Sequence, residues 1–158
     1  NKKVRKPRGP SKGLKSISGV QRVIQWDELG RPTGPWEGDY KKHVGEISRA
    51  KVSILIKNWN DVPQGIKDTL WEDTKREFQI DDNEEKKSIV LSACDKRWRD
   101  FKTRLVSGWI TRTRYVGKNP RPPYETYSSF LTKEIWEEFV KQHEDEKFKE
   151  KSEKARAS

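Results

Sequence analysis

The sequence predicts a mainly α fold: a small helical domain with a Trp-rich core, a possible short two-stranded β element and a flexible basic N-terminal tail. Two observations predict this class. Apolar residues recur every three or four positions in several stretches, which is the period of an amphipathic helix. Only 30% of the 158 residues are hydrophobic and 38% are charged, so the core must be small. Seven Trp and five Phe supply much of its buried area.

Composition divides the chain into three parts. Residues 1–19 are rich in Lys, Arg, Pro and Gly. We expect a disordered basic tail there, because the charges repel one another and Pro and Gly disfavour regular structure. Residues 20–143 carry the apolar periodicity and form the predicted helical domain. After His143 only Phe148 is strongly apolar, so residues 144–158 are predicted to be a charged helical or frayed tail.

The β element is predicted near the start of the helical domain. Residues 20–26 and 51–56 are both rich in β-branched side chains, so we expect these two segments to pair. Residues 27–30, with the sequence Asp-Glu-Leu-Gly, indicate a turn. Residues 37–50 are predicted to form a helix between the two paired segments.

Two further helices flank the centre of the chain. One is predicted from about residue 63 to residue 79, with Pro63 in its first turn, where a missing N–H costs little. The other begins after Thr132, whose hydroxyl is predicted to cap it.

The central helix is predicted from about Asn83 to Ser107, with Gly108 as its exit and Asp82 and Glu85 as a capping pair. One side carries an apolar stripe that must be buried, formed by Leu91, Cys94, Trp98, Phe101, Leu105 and Trp109. The residues expected to be structural are Trp71, Trp98, Phe101 and Leu105.

Positive charge is unevenly spread along the chain. The net charge is +10, and residues 1–26 hold eight Lys or Arg and no acid. Residues 95–121 hold nine Lys or Arg against only Asp95 and Asp100. Such segregation favours a polyanionic partner. A membrane surface is less favoured, because the stripe on the basic helix is wide enough to be a core face. The alternative is a solvated basic face without a partner.

Nucleic acid is the polyanion that this pattern favours, and residues 20–143 are accordingly predicted to be a DNA-binding domain. Lys and Arg would contact phosphates, and one or two side chains of the central helix would contact base edges. The predicted DNA contacts are Lys96, Arg97, Arg99, Lys102, Thr103, Arg104, Arg112 and Arg114. A dense basic cluster in the tail predicts nuclear localisation, with a solubilising role as the alternative; it comprises Lys2, Lys3, Arg5, Lys6 and Arg8.

The sequence contains no motif for catalysis or metal binding. His43 and His143 stand in unrelated contexts and Cys94 lies on the apolar stripe, so no zinc-ligand spacing is present. There is no Walker-type glycine loop and no nucleophile elbow. We therefore expect a protein that is not an enzyme and uses no cofactor or metal. No apolar run is long enough to span a membrane, and a single Cys suits a reducing compartment.

Several short pieces of the sequence carry a family resemblance through their order and spacing. They are residues 8–12 (RGPSK), 30–34 (GRPTG), 59–63 (WNDVP), 67–71 (KDTLW), 78–80 (FQI), 96–102 (KRWRDFK), 136–141 (WEEFVK) and 148–154 (FKEKSEK). Together they resemble the plant transposase-associated family of En/Spm-like (CACTA) elements, including its Ptta-type proteins. The resemblance covers about residues 8–154. It implies a transposon-encoded or domesticated nuclear protein that is not the catalytic transposase subunit.

A looser similarity is to Myb/SANT-like and trihelix DNA-binding domains, in which bulky aromatics lie on successive helices and the last helix enters the major groove. Trp71, Cys94 and Trp98 occupy comparable positions here, although the two tryptophans are 27 positions apart. This similarity implies non-catalytic binding of duplex DNA and regulation of transcription. The main alternative is a protein-interaction adaptor in a chromatin or transposase complex. RNA binding is less favoured, since no aromatic RNP-type motif is visible.

Overall fold

The chain is mainly helical. The structure, a computed structural model, describes residues 21–111 and 121–157, so the expected basic tail at residues 1–19 lies outside the described part. Within the described part there are five α-helices and one two-stranded antiparallel sheet, which confirms the predicted fold class. The chain divides between Thr103 and Arg104 into two compact parts, here called unit 1 and unit 2.

The β element of unit 1 is a local hairpin. Strand β1, Gln25–Trp26, pairs antiparallel with β2, Pro32–Thr33. The predicted pairing with residues 51–56 is wrong. That segment forms a loop in which Val52 and Ile54 are buried, so its apolar residues serve the core without forming a strand. Closing a hairpin over a few residues costs less chain entropy than pairing segments about 25 residues apart.

The hairpin turn is held by one carboxylate. Asp27 Oδ1 accepts the backbone N–H groups of Leu29 at 2.9 Å and of Arg31 at 2.8 Å. Gly30 has φ +76°, a left-handed conformation that glycine adopts without strain, and an added Cβ would lie 3.2 Å from Ile89 Cδ1. The turn predicted for residues 27–30 is therefore confirmed, with Asp27 as its organising residue.

Helices α1 and α2 lie within two residues of their predicted bounds. Helix α1 is Glu37–Lys51 and α2 is Gln64–Glu77, preceded by a 3-10 turn at Trp59–Asp61. The Lys51 ammonium lies 2.6 Å from the Asp73 carboxylate and joins the end of α1 to α2.

Helix α3, Glu84–Leu105, is the predicted central helix. Its cap is Asn83, whose Oδ1 accepts the backbone N–H of Lys86 at 2.8 Å. The predicted capping pair of Asp82 and Glu85 is wrong, because the Asp82 carboxylate instead pairs with Lys75 at 3.0 Å. Asn83 satisfies one of the free N–H groups at the start of α3 without adding a charge.

The core of unit 1 is rich in tryptophan, as predicted. Trp98 is fully buried and Trp71 is 3% exposed, and the Trp98 indole N–H donates to the Ser53 carbonyl at 3.1 Å. Phe101, and Leu105 at the start of unit 2, are also buried, so the predicted structural role of all four residues is confirmed. Burial of the stripe fixes the rotation of α3 and determines which of its side chains face solvent.

Unit 2 begins with the end of α3. A π-helical turn at Val106–Ile110 follows, so the predicted exit at Gly108 is wrong by two residues. The unit continues with α4, Pro123–Thr126, and α5, Lys133–Ala157. The predicted cap of the last helix is confirmed, because Thr132 Oγ1 accepts the backbone N–H of Ile135 at 3.1 Å.

Candidate nucleic-acid interface

The exposed side of α3 within unit 1 carries four of the predicted contact residues. This α3 surface comprises Lys96, Arg99 and Thr103 on one flank and Arg97 on the other, all of them exposed. The opposite side of the helix holds buried Cys94 and Trp98. Because those side chains lock the helix in place, the four exposed side chains are presented to solvent in a fixed order along one element.

Acidic side chains neutralise part of the α3 surface. Arg99 Nε donates to Asp95 Oδ1 at 2.8 Å, and Lys96 Nζ donates to Asp100 Oδ2 at 3.1 Å. Both pairs join residues four apart on one helix, are exposed, and contribute little to stability. Arg97 has no ion-pair partner among residues 21–111 and 121–157. It is therefore the cation of this surface whose charge no nearby acid offsets.

Lys102 is held by the fold itself. Its ammonium donates to the Ile56 carbonyl at 2.6 Å and lies 4.3 Å from the centre of the Trp98 ring. A Lys in this position joins α3 to the loop after α1 and stabilises the ring through a cation–π contact. Its ammonium thus makes contacts inside unit 1 with a residue distant in the sequence.

The remaining predicted contacts lie elsewhere. Arg104 is the first residue of unit 2 and its side chain is exposed. Arg112 and Arg114 lie outside the described residues, as does the predicted nuclear localisation cluster of Lys2, Lys3, Arg5, Lys6 and Arg8.

Each tryptophan of unit 1 in the described chain carries a cation over its ring. The cation lies between 4.3 and 5.6 Å from the ring centre. The pairs are Arg22 with Trp36, Lys67 with Trp59, Lys75 with Trp71, Lys86 with Trp26, and Lys102 with Trp98. Sequence reasoning missed this pattern. Much of the positive charge of unit 1 is thus engaged by its own aromatic residues.

The charge of the described residues is balanced. Residues 21–111 and 121–157 hold 25 Lys or Arg and 25 Asp or Glu. The net charge of +10 comes from residues 1–20, with seven cations, and from residues 112–120, with three. A sequence count with these boundaries would have found this. The predicted basic block at 95–121 combines residues 95–111, which hold five cations and two acids, with residues 112–121, which hold four cations and no acid.

Three side chains with possible chemical reactivity, those of His43, Thr74 and Cys94, are buried in the core. Thr74 donates its hydroxyl proton to the Leu70 carbonyl at 2.8 Å, so its oxygen accepts from His43 Nε2, 3.3 Å away. Burial lowers the pKa of His43 and leaves the imidazole neutral. Burial raises the pKa of the Cys94 thiol to about 11, so it is not a reactive thiolate. Among residues 21–111 and 121–157 there is no group of three or more potential metal ligands.

Comparisons with models of known protein families, with curated proteins and with solved structures find no match to this chain. In the described part of the chain, no helix combines the length and the apolar character needed to cross a bilayer.

Proposed function

We propose that the chain is a non-catalytic DNA-binding protein of transposon origin that acts in the nucleus and contacts duplex DNA through the α3 surface. One observation carries the proposal. A single helix is held by a fully buried tryptophan on one side and presents Arg99 and Thr103 to solvent on the other, with exposed Arg97 on the opposite flank. A rigid helix with Arg side chains on its exposed side has the shape and the donor groups to enter a major groove.

The charge distribution supports separate roles for two parts of the chain, one in phosphate attraction and one in base contacts. Phosphate attraction depends on the number of cations that approach the duplex and is independent of base sequence. The ten excess cations of residues 1–20 and 112–120 would supply most of this attraction. The α3 surface, with Arg97 free of an acidic partner among the described residues, would add orientation and base contacts.

A matched pair of double variants tests the proposal. Arg97→Ala/Arg99→Ala removes one cation without an ion-pair partner in the described chain and one paired cation from α3. Lys41→Ala/Lys42→Ala does the same on α1, where Lys41 pairs with Glu37 at 2.7 Å. We expect the α3 variant to bind duplex DNA about tenfold or more weakly at moderate salt, with a salt slope lower by about one or two. The α1 variant should bind like the parent.

The competing function is a protein-interaction adaptor, which the balanced charge of the described residues favours. An adaptor would meet an acidic partner protein through the same surface and need no affinity for duplex DNA. Retention on heparin and a mobility shift with random duplex at low salt distinguish the two. If the parent shows neither, or if the α1 and α3 variants weaken binding equally, the adaptor replaces the DNA-binding protein.

A further inference from the structure

The α3 surface contains a carboxylate that holds an arginine. Asp95 and Arg99 lie one turn apart, and the Asp95 Oδ1 to Arg99 Nε distance is 2.8 Å. The Asp95 side chain is 24% exposed and that of Arg99 is 62% exposed. The acid thus lies closer to the body of unit 1, while the guanidinium reaches outward from it.

This arrangement determines which donors of the arginine remain available. A guanidinium has one N–H at Nε and four at the two Nη atoms, in one rigid plane. Because Asp95 accepts from Nε, the plane is fixed by a contact at its inner edge and both Nη groups stay at the outer end. Two parallel N–H donors at the end of an arginine match the O6 and N7 acceptors of guanine in the major groove.

The second acid of this surface does not create the same geometry. Asp100 pairs with Lys96 at 3.1 Å, and an ammonium is a single rotating charge without a planar fork. An exposed pair at this spacing contributes little to stability, and a carboxylate near phosphates is repelled by them. What the Asp95 carboxylate adds to this surface is therefore the orientation of the Arg99 side chain.

We propose that Asp95 is a positioning residue that orients Arg99 to recognise guanine in the major groove of duplex DNA. This inference rests on the proposed function. It adds the base that is recognised, guanine, and the two residues that determine specificity, Asp95 and Arg99. Asp95 itself contacts no base. It acts by restricting the guanidinium to one plane, so that the bidentate contact needs little further ordering of the side chain.

The test compares three variants with the parent on the same duplexes. A duplex library with a randomised centre is selected with the parent protein to find the base pairs that it prefers. Affinities are then measured for the selected duplex and for one in which each selected G·C pair is changed to A·T. The variants are Asp95→Ala, which removes the acceptor of Arg99 Nε, Asp100→Ala as the control with the same charge change, and Arg99→Lys, which keeps the charge but loses the fork.

Removing the Asp95 carboxylate should raise the affinity for duplex DNA and lower the preference for guanine. The parent should prefer guanine at one position by about fivefold or more. Asp95→Ala should bind random duplex more tightly, because it removes a negative charge, and should lose most of that preference, because Arg99 Nε loses its acceptor. Asp100→Ala should bind more tightly with the preference unchanged. Arg99→Lys should lose the preference and keep the salt slope. Each variant is checked for folding by circular dichroism.

The other outcomes separate the inference from the function on which it rests. If Asp95→Ala and Asp100→Ala change the preference equally, or neither changes it, Asp95 does not position Arg99 and the inference is wrong. It is also wrong if the parent binds duplex but selects no guanine. If the parent does not bind duplex at all, the proposed function itself has failed.

Discussion

Truncating Trp98 should remove much of the stability of unit 1. The side chain is fully buried, and its indole N–H donates to the Ser53 carbonyl at 3.1 Å. The centre of its ring lies 5.9 Å from the centre of the Trp59 ring and 4.3 Å from the Lys102 ammonium. Trp→Ala in a core costs about 3–5 kcal/mol, and loss of the cation–π contact places this site at the upper end of that range. We therefore expect Trp98→Ala to cost about 5 kcal/mol, a large share of the 5–15 kcal/mol that holds a typical domain together.

Two further variants are compared with Trp98→Ala, one that keeps a ring at position 98 and one at an exposed site as a control. Trp98→Phe keeps a ring but loses the indole N–H, so it should cost about 1–2 kcal/mol for the hydrogen bond and the smaller ring. Leu29→Ala changes a side chain that is 76% exposed, and it should shift stability by less than about 0.5 kcal/mol. Urea unfolding followed by far-UV circular dichroism gives all three values. If Trp98→Ala unfolded at the same urea concentration as the parent, Trp98 would face solvent and the orientation of α3 would be inverted.

Three further predictions concern single groups of the chain. The Tyr40 hydroxyl is buried and has no hydrogen-bond partner among the described residues, so Tyr40→Phe should raise the free energy of unfolding by about 1 kcal/mol. A lower melting temperature would show instead that a bound water satisfies this hydroxyl. Burial holds the pKa of His43 below its ordinary value of 6.5, so the unfolded chain takes up the proton first. Stability should therefore fall as the pH drops from 6.5 toward the lower pKa of the folded state, and His43→Gln should remove this part of the slope in urea titrations at several pH values. A fluorescent fusion too large to diffuse through nuclear pores should lose nuclear accumulation when residues 1–8 are deleted, and full accumulation without them would exclude the basic cluster as the signal.

Local patterns were sufficient to predict α1, α2 and α3, whereas the short helix α4 was not predicted. The spacing of apolar residues predicted α1, α2 and α3 to within two residues at each end, because amphipathic period and burial are linked directly. The same spacing predicted that Trp98 is buried and that Arg97 and Arg99 are exposed. The pair of Asp95 with Arg99 joins residues four apart, so it too was available from the sequence and was overlooked.

Contacts between distant parts of the chain could not be predicted in this way. The sequence contained two β-branched segments, and only the folded chain shows that β1 pairs with the nearby β2 while the segment at 51–56 fills the core as a loop. Lys102 was predicted to contact DNA, yet its ammonium is held by the Ile56 carbonyl, 46 positions away. Periodicity determines which side of an element is buried, because that depends on neighbours within a turn or two. The tertiary structure alone decides which partner covers that side, because this depends on the closure entropy and shape of the whole chain.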